Sequence, residues 1–224
     1  MTILWMLGGA LVGRLVVANA FRVAFGDPAV ARRELRRFPP LRVAEITAGP
    51  ARLTGRVVAV EPPLVSPLAD EACVFHQLQL RRLGLRCRNV LYPSRPVQFE
   101  LDDGTGRALV RVPPPPPPPE PGDEPPWEVV CAIGARRSRR IHRGESDAFD
   151  RIYDQADLRS GIFPSVIPVL ATEGIIAAGD VVSVGGFAST EIAAESRATS
   201  HRALPTRVVV TSANGYRLAV VKPG

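Results

Sequence analysis

Residues 97–112 read Val97-Gln-Phe-Glu-Leu-Asp-Asp-Gly-Thr-Gly-Arg-Ala-Leu-Val-Arg-Val112. Val97, Phe99 and Leu101 alternate with Gln98 and Glu100, the period of two that puts apolar side chains on one face of a strand. Asp102-Asp103-Gly104-Thr105-Gly106 then supplies turn residues, and Arg107–Val112 resumes an apolar, Val-rich run. The stretch predicts a β-hairpin with a short glycine-bearing loop. Working outward, Arg52–Val60 predicts a strand that Pro62-Pro63 breaks, and Cys73–Leu80 predicts another. Trp127–Ile133 and Val181–Val184 read the same way, the second followed by Gly185-Gly186. Arg207–Thr211 and Arg217–Val221 flank Asn214-Gly215, which predicts a second hairpin. A helical period appears at Ser146–Leu158, with Ser146 or Asp147 as cap and Phe149, Ile152, Tyr153 and Ala156 on one face. Residues 45–222 therefore predict a mainly β domain with one inserted helix.

The chain has 224 residues, 46% hydrophobic and 22% charged. Both fractions are ordinary for a globular chain and exclude disorder throughout. Cys73, Cys87 and Cys131 are too few for a disulfide scaffold, a four-cysteine zinc site or a RING. The net charge of +6 is unevenly placed: 32–42 carries +4 and 136–143 carries +5, leaving −3 for everything else. Only Lys222 is a lysine, a bias that composition of the genome explains without any phosphate ligand.

Residues 1–25 are apolar apart from Arg14, Asn19 and Arg22. That length suits a spanning helix, since ten or so strongly apolar residues offset the cost of a central arginine. Arg14, Ala18 and Arg22 also share one helical stripe, so an interfacial helix is an alternative, and a signal peptide a further one. The expectation is a membrane segment over 1–26, then a basic juxtamembrane helix and linker over 27–44, with Asp27-Pro28 starting the helix and Pro39-Pro40 ending it. The arginines after the apolar run place the β domain on the cytosolic side of a single-pass membrane protein. Within 113–126 lies an unbroken run of seven prolines, expected as a stiff polyproline insertion.

Few motifs carry chemistry. Cys73-Val-Phe-His76 has a Cys-x-x-His spacing, but no second pair follows it at zinc spacing. His142 and His201 stand alone, and no nucleophile elbow, P-loop or dinucleotide fingerprint occurs. Asp102 and Asp103 suit a turn better than an acid–base pair. No catalytic set, metal site, cofactor or small-molecule substrate is expected. The basic patch Arg136, Arg137, Arg139, Arg140 and Arg143 reads as a solvated loop between strand and helix. Nucleic acid or anionic lipid is the sharper reading, weakened by the lack of interleaved aromatics.

The order of these pieces resembles a family. Gly55-Arg-Val, the Asp-Asp-Gly-Thr-Gly turn and Gly179-Asp-Val-Val-Ser-Val-Gly185 are similar to an OB-like barrel. Pro40–Gly49, Ser66-Pro67-Leu68, Cys73-Val74 and the spacing from Glu173 to Gly179-Asp180 and Gly186 resemble the GIDE domain. This domain, also called BAM ("beside a membrane"), occurs in MULAN-type membrane ubiquitin ligases and in many bacterial membrane proteins. The resemblance covers roughly 40–222 and matches at Ser66, Pro67, Cys73, Asp103, Gly106, Glu173, Gly179 and Asp180. It implies a membrane-tethered β domain that recognises something, in the first place another protein. These 224 residues hold no RING, so on this resemblance ubiquitin transfer is expected to need a separate partner. The glycines and acids at these positions read as turn and core determinants. The expectation is a non-catalytic interaction or sensing module at a membrane. The alternatives are a ubiquitin-ligase-like protein and an OB-type single-strand nucleic-acid binder.

Overall fold

The computed structural model describes residues 28–58, 63–82, 88–91, 96–114, 129–155, 169–192 and 206–223. The apolar segment 1–26, most of the proline run and residues 156–158 lie outside the described residues. Among the described residues no helix is long and apolar enough to cross a membrane.

The protein is mainly β. The 97–112 hairpin forms as read, with β6 (Val97–Asp102) pairing antiparallel to β7 (Arg107–Val112) so that Val97 faces Val112 and Asp102 faces Arg107. β1 (Gly49–Val58) uses both of its edges. Arg56–Val58 pair with β6, and Gly49–Arg56 pair with β11 (Val181–Ile192). β11 pairs antiparallel with β12 (Thr206–Thr211), and β12 runs parallel to β7. The ring β1-β6-β7-β12-β11 thus closes into a five-stranded barrel. Leu53, Phe99, Leu101, Val110, Val184 and Val210 fill it, all fully buried. β1 can serve two neighbours because Gly55 lets it approach the end of β6. A Cβ there would lie 2.4 Å from the Asp102 carbonyl oxygen.

The Asn214-Gly215 hairpin expected from sequence does not form a paired hairpin. Both residues have positive φ (53° and 78°), and Ala213 bridges Tyr216, so the tight turn is real. Its flanking strands do not pair with each other. β12 and β13 (Leu218–Val221) instead lie one after the other along the same edge of β11, at 187–192 and 183–185. The turn is a short excursion, because β11 is long enough to offer its ladder to both strands. β11 likewise runs straight through Gly185-Gly186, where the sequence reading ended it.

β13 leaves the barrel to pair in parallel with β8 (Val129–Ala132). Across this ledge packs α1 (Pro28–Arg36), with Ala31 and Leu35, and Phe38 just beyond it, against Val130, Ala132, Ala219 and Val221. The juxtamembrane helix expected as a separate element over 27–44 is therefore part of the fold. After it, Leu41 donates its N–H to the Arg52 carbonyl, and a 3₁₀ turn (Val43–Glu45) lays Val43 on the barrel core.

A second sheet, in the order β5-β4-β10-β9, is built from β4 (Phe75–Arg82), β5 (Arg88–Leu91), β9 (Arg137–Ile141) and β10 (Val169–Ile176). Phe75 and Ile176 lie in the barrel core. Farther along the same strands, Leu78, Leu80, Val169 and Ala171 pack with Phe149, Ile152 and Tyr153 of α2 (Asp147–Gln155). Ser146 caps α2 by accepting the Phe149 N–H. The loop expected over 136–143 is in its main part strand β9, recruited by the exposed edge of β10. A small hairpin of β2 (Leu64–Val65) and β3 (Ala72–Cys73) precedes β4.

Candidate functional site

The eight positions singled out by the resemblance do not gather in one cleft. The structure sorts them into three places, and each is organised by one carboxylate that accepts hydrogen bonds from a turn.

The deepest is Glu173 on β10, with no exposed surface. Its Oε2 accepts the Ser66 hydroxyl at 3.1 Å, the Leu68 N–H at 3.1 Å and the Ala69 N–H at 2.9 Å. The turn so held joins β2 to β3 and contains Pro67. Arg137, directly opposite Glu173 on β9, donates to the Leu68 carbonyl at 3.0 Å. The turn is therefore gripped through its N–H groups by an acid and through a carbonyl by a base. Burial pushes the Glu173 carboxyl above its ordinary range, against those hydrogen bonds and the Arg137 charge. Cys73 is buried nearby, its thiol pushed up to about 11 by burial first and then by Glu173 and Glu71. A thiol so placed is a poor nucleophile at neutral pH. His76 follows on β4 with Nδ1 buried and unpartnered, and burial lowers it to about 4, so it is neutral at pH 7.

Asp103 organises the 102–106 turn. Its Oδ1 accepts the N–H groups of Thr105 and Gly106 and the Thr105 hydroxyl, and its Oδ2 accepts the Val43 N–H at 2.8 Å. Burial raises this carboxyl, but the four donors outweigh it and hold it below its ordinary value. Gly106 is tight against Val43. The third carboxylate, Asp180, accepts the Ala177 N–H and the Lys222 ammonium, both at 2.7 Å, while Arg56 donates to the Gly179 carbonyl.

The outward face of β6 and β7 carries a charge mosaic that the sequence reading missed. Arg107 reaches Glu100 (3.5 Å) and Asp102 (3.3 Å), and Arg111 makes a two-pronged pair with Glu191 of β11 at 3.0 and 3.1 Å. That pair lowers the Glu191 carboxyl. Alternation in Gln98-Phe-Glu100 signals an outward Glu100, but Glu191 is 80 residues from its partner and no local pattern marks it.

The basic patch is largely matched to acids. Arg136 pairs with Glu71 at 3.2 Å, Arg139 with Glu145, and Arg143 with Asp154 at 3.8 Å, while Arg137 is engaged at Leu68. Arg139 also lies over the Phe149 ring. Among the described residues no three His, Cys, Asp or Glu side chains group as metal ligands. Comparison of the chain with protein-family models, with curated proteins and with solved structures returns no match.

Proposed function

We propose that the chain is a membrane-anchored, non-catalytic interaction module of the GIDE/BAM type, built on an OB-like barrel and addressed to another protein. The observation that carries the reading is the closed ring β1-β6-β7-β12-β11 with β7 and β12 parallel. This is a five-stranded barrel with the strand connectivity of an OB-fold, in which the second and third strands form the usual binding face. Those strands correspond here to β6 and β7. Their face presents fixed, paired charges of both signs and buries its aromatic, Phe99, in the core. Single-strand binders use a basic groove with exposed aromatics for stacking. A mosaic of both signs suits a protein surface, where complementary charge sets specificity. The three family-pattern carboxylates are engaged in holding turns, which supports a recognising rather than a transforming role.

The test is a photo-crosslinker at the exposed Gln98 in the full-length chain, activated in native membranes. Crosslinks to a discrete protein, lost on Arg111→Glu, are expected. Crosslinks to RNA would overturn the reading, as would release of the chain by carbonate washing. So would ubiquitin transfer by the purified chain alone.

A further inference from the structure

We infer that the outward face of α1 is the surface through which the barrel lies against an anionic lipid bilayer; this rests on the membrane reading above and adds an orientation to it. α1 turns Ala31, Glu34 and Leu35 inward. At about 100° per residue, Arg32, Arg33, Arg36 and Arg37 occupy the opposite arc. The one acid of the helix, Glu34, is buried and takes Arg37 at 2.9 Å. Arg32, Arg33 and Arg36 are exposed and make no ion pair among the described residues.

The contrast with β9 decides between the two arginine runs. Three of the five β9-side arginines have an acid beside them and a fourth is held at a carbonyl. Of the two runs, α1 therefore holds the larger share of arginine charge that is unpaired among the described residues, although β9 has the denser run in sequence.

Two further observations choose a bilayer over another polyanion. Tyr216, 41% exposed, packs its ring 5.8 Å from that of Phe38 at the carboxyl end of α1, followed by the exposed Arg217. An exposed tyrosine followed by an exposed arginine suits the headgroup layer, where its ring and hydroxyl meet apolar and wet surroundings together. The sequence also places the apolar run 1–25 immediately before α1, so the arginine face starts where that run stops. An RNA or an acidic protein would satisfy the arginines but would have no use for that adjacency.

The experiment uses the full-length chain reconstituted into vesicles of phosphatidylcholine alone or mixed with phosphatidylserine. A dye is placed on a cysteine introduced at Asn214, beside Tyr216, with Cys87 replaced by serine. Energy transfer to headgroup-labelled lipid reads the height of that tip. Close approach is expected with phosphatidylserine and not without it. Each arginine contributes about five-fold to the docking equilibrium, so Arg32→Gln, Arg33→Gln and Arg36→Gln together reduce it on the order of 100-fold. Replacement of all three by lysine retains docking, which separates charge from fold, and Arg136→Gln with Arg140→Gln leaves it unchanged. Salt at about 1 M, where screening acts within roughly 3 Å, lifts the tip. Equal height in both lipids, a triple glutamine variant that docks like the parent, or lifting of the tip only by an added RNA oligonucleotide overturns the inference. Carbonate washing of the same vesicles separates the failures: a released chain refutes the membrane reading, and a retained chain with an undocked tip refutes only the orientation.

Discussion

Replacing Glu173 by alanine tests the claim that this side chain is a structural clamp. All three donors converge on Oε2, and Oε1 has no partner. The Ala69 N–H also reaches the Ser66 hydroxyl at 3.2 Å, so it keeps an acceptor when Glu173 is removed. The Leu68 N–H and the Ser66 hydroxyl lose theirs inside a buried site. Each stranded donor costs about 1–3 kcal/mol, so a loss of about 3–4 kcal/mol is expected, a large part of the ~5–15 kcal/mol that holds an ordinary domain. Urea unfolding of the full-length chain in detergent, followed by circular dichroism, measures it. A loss below about 1 kcal/mol would refute the clamp. Glu173→Gln then isolates the charge. The folded carboxyl has a raised pKa, so the native state binds the proton more tightly than the unfolded chain does. The stability this confers is complete below the ordinary value of 4.5 and is lost as pH rises through the raised value. The stability difference, parent minus Glu173→Gln, should therefore shrink as pH increases from about 4 to 7. His76 is present in both proteins and cancels. A difference that grows with pH would show that the hydrogen bonds outweigh desolvation, contrary to the argument.

Other perturbations address the same region and the barrel. His76, lowered to about 4 from 6.5, makes the native state resist protonation, so stability is complete above pH 6.5 and falls as pH drops toward 4. The parent should lose roughly 3 kcal/mol more than His76→Gln between pH 7 and 4, and equal losses in urea titrations would contradict the burial of this imidazole. Cys73 should stay unalkylated by iodoacetamide at pH 8 in the folded chain and react on unfolding, as read by peptide mass spectrometry; fast native labelling would mean the thiol is neither buried nor raised. Gly55→Ala drives a Cβ to 2.4 Å from a backbone oxygen, which only a shift of β1 or β6 relieves. Overpacking of this kind costs about 1–3 kcal/mol, and an unchanged Tm would show that the two strands do not cross so closely.

The parts of the fold readable along the chain are those whose causes lie in neighbouring residues. Alternation in Val97–Leu101, the Asp102–Gly106 turn and the Ser146 cap act through backbone preference and adjacent side chains, and each appears where the sequence places it. Asn214-Gly215 shows the limit of that logic. The pair requires a tight turn and makes one, but it has no influence over which strand its flanks join; β11 takes both. The 136–143 arginines read as a loop because charge masks strand periodicity, and the ladder offered by β10 overrode it. The role of α1 was hidden for a similar reason: its outward charge is plain in sequence, while the ledge of β8 and β13 that receives its apolar side comes from segments about 100 and 190 residues away. For the site, Ser66, Glu173, Asp103 and Asp180 stood out one at a time, but the grip of Glu173 and Arg137 on one turn spans 107 and 69 residues. Local order in the chain settled strand, turn and cap, because those energies are set within a few residues. Partner, register and the pairing of charges waited on the folded molecule, because burial and Coulomb energy depend on distance through space and not along the backbone.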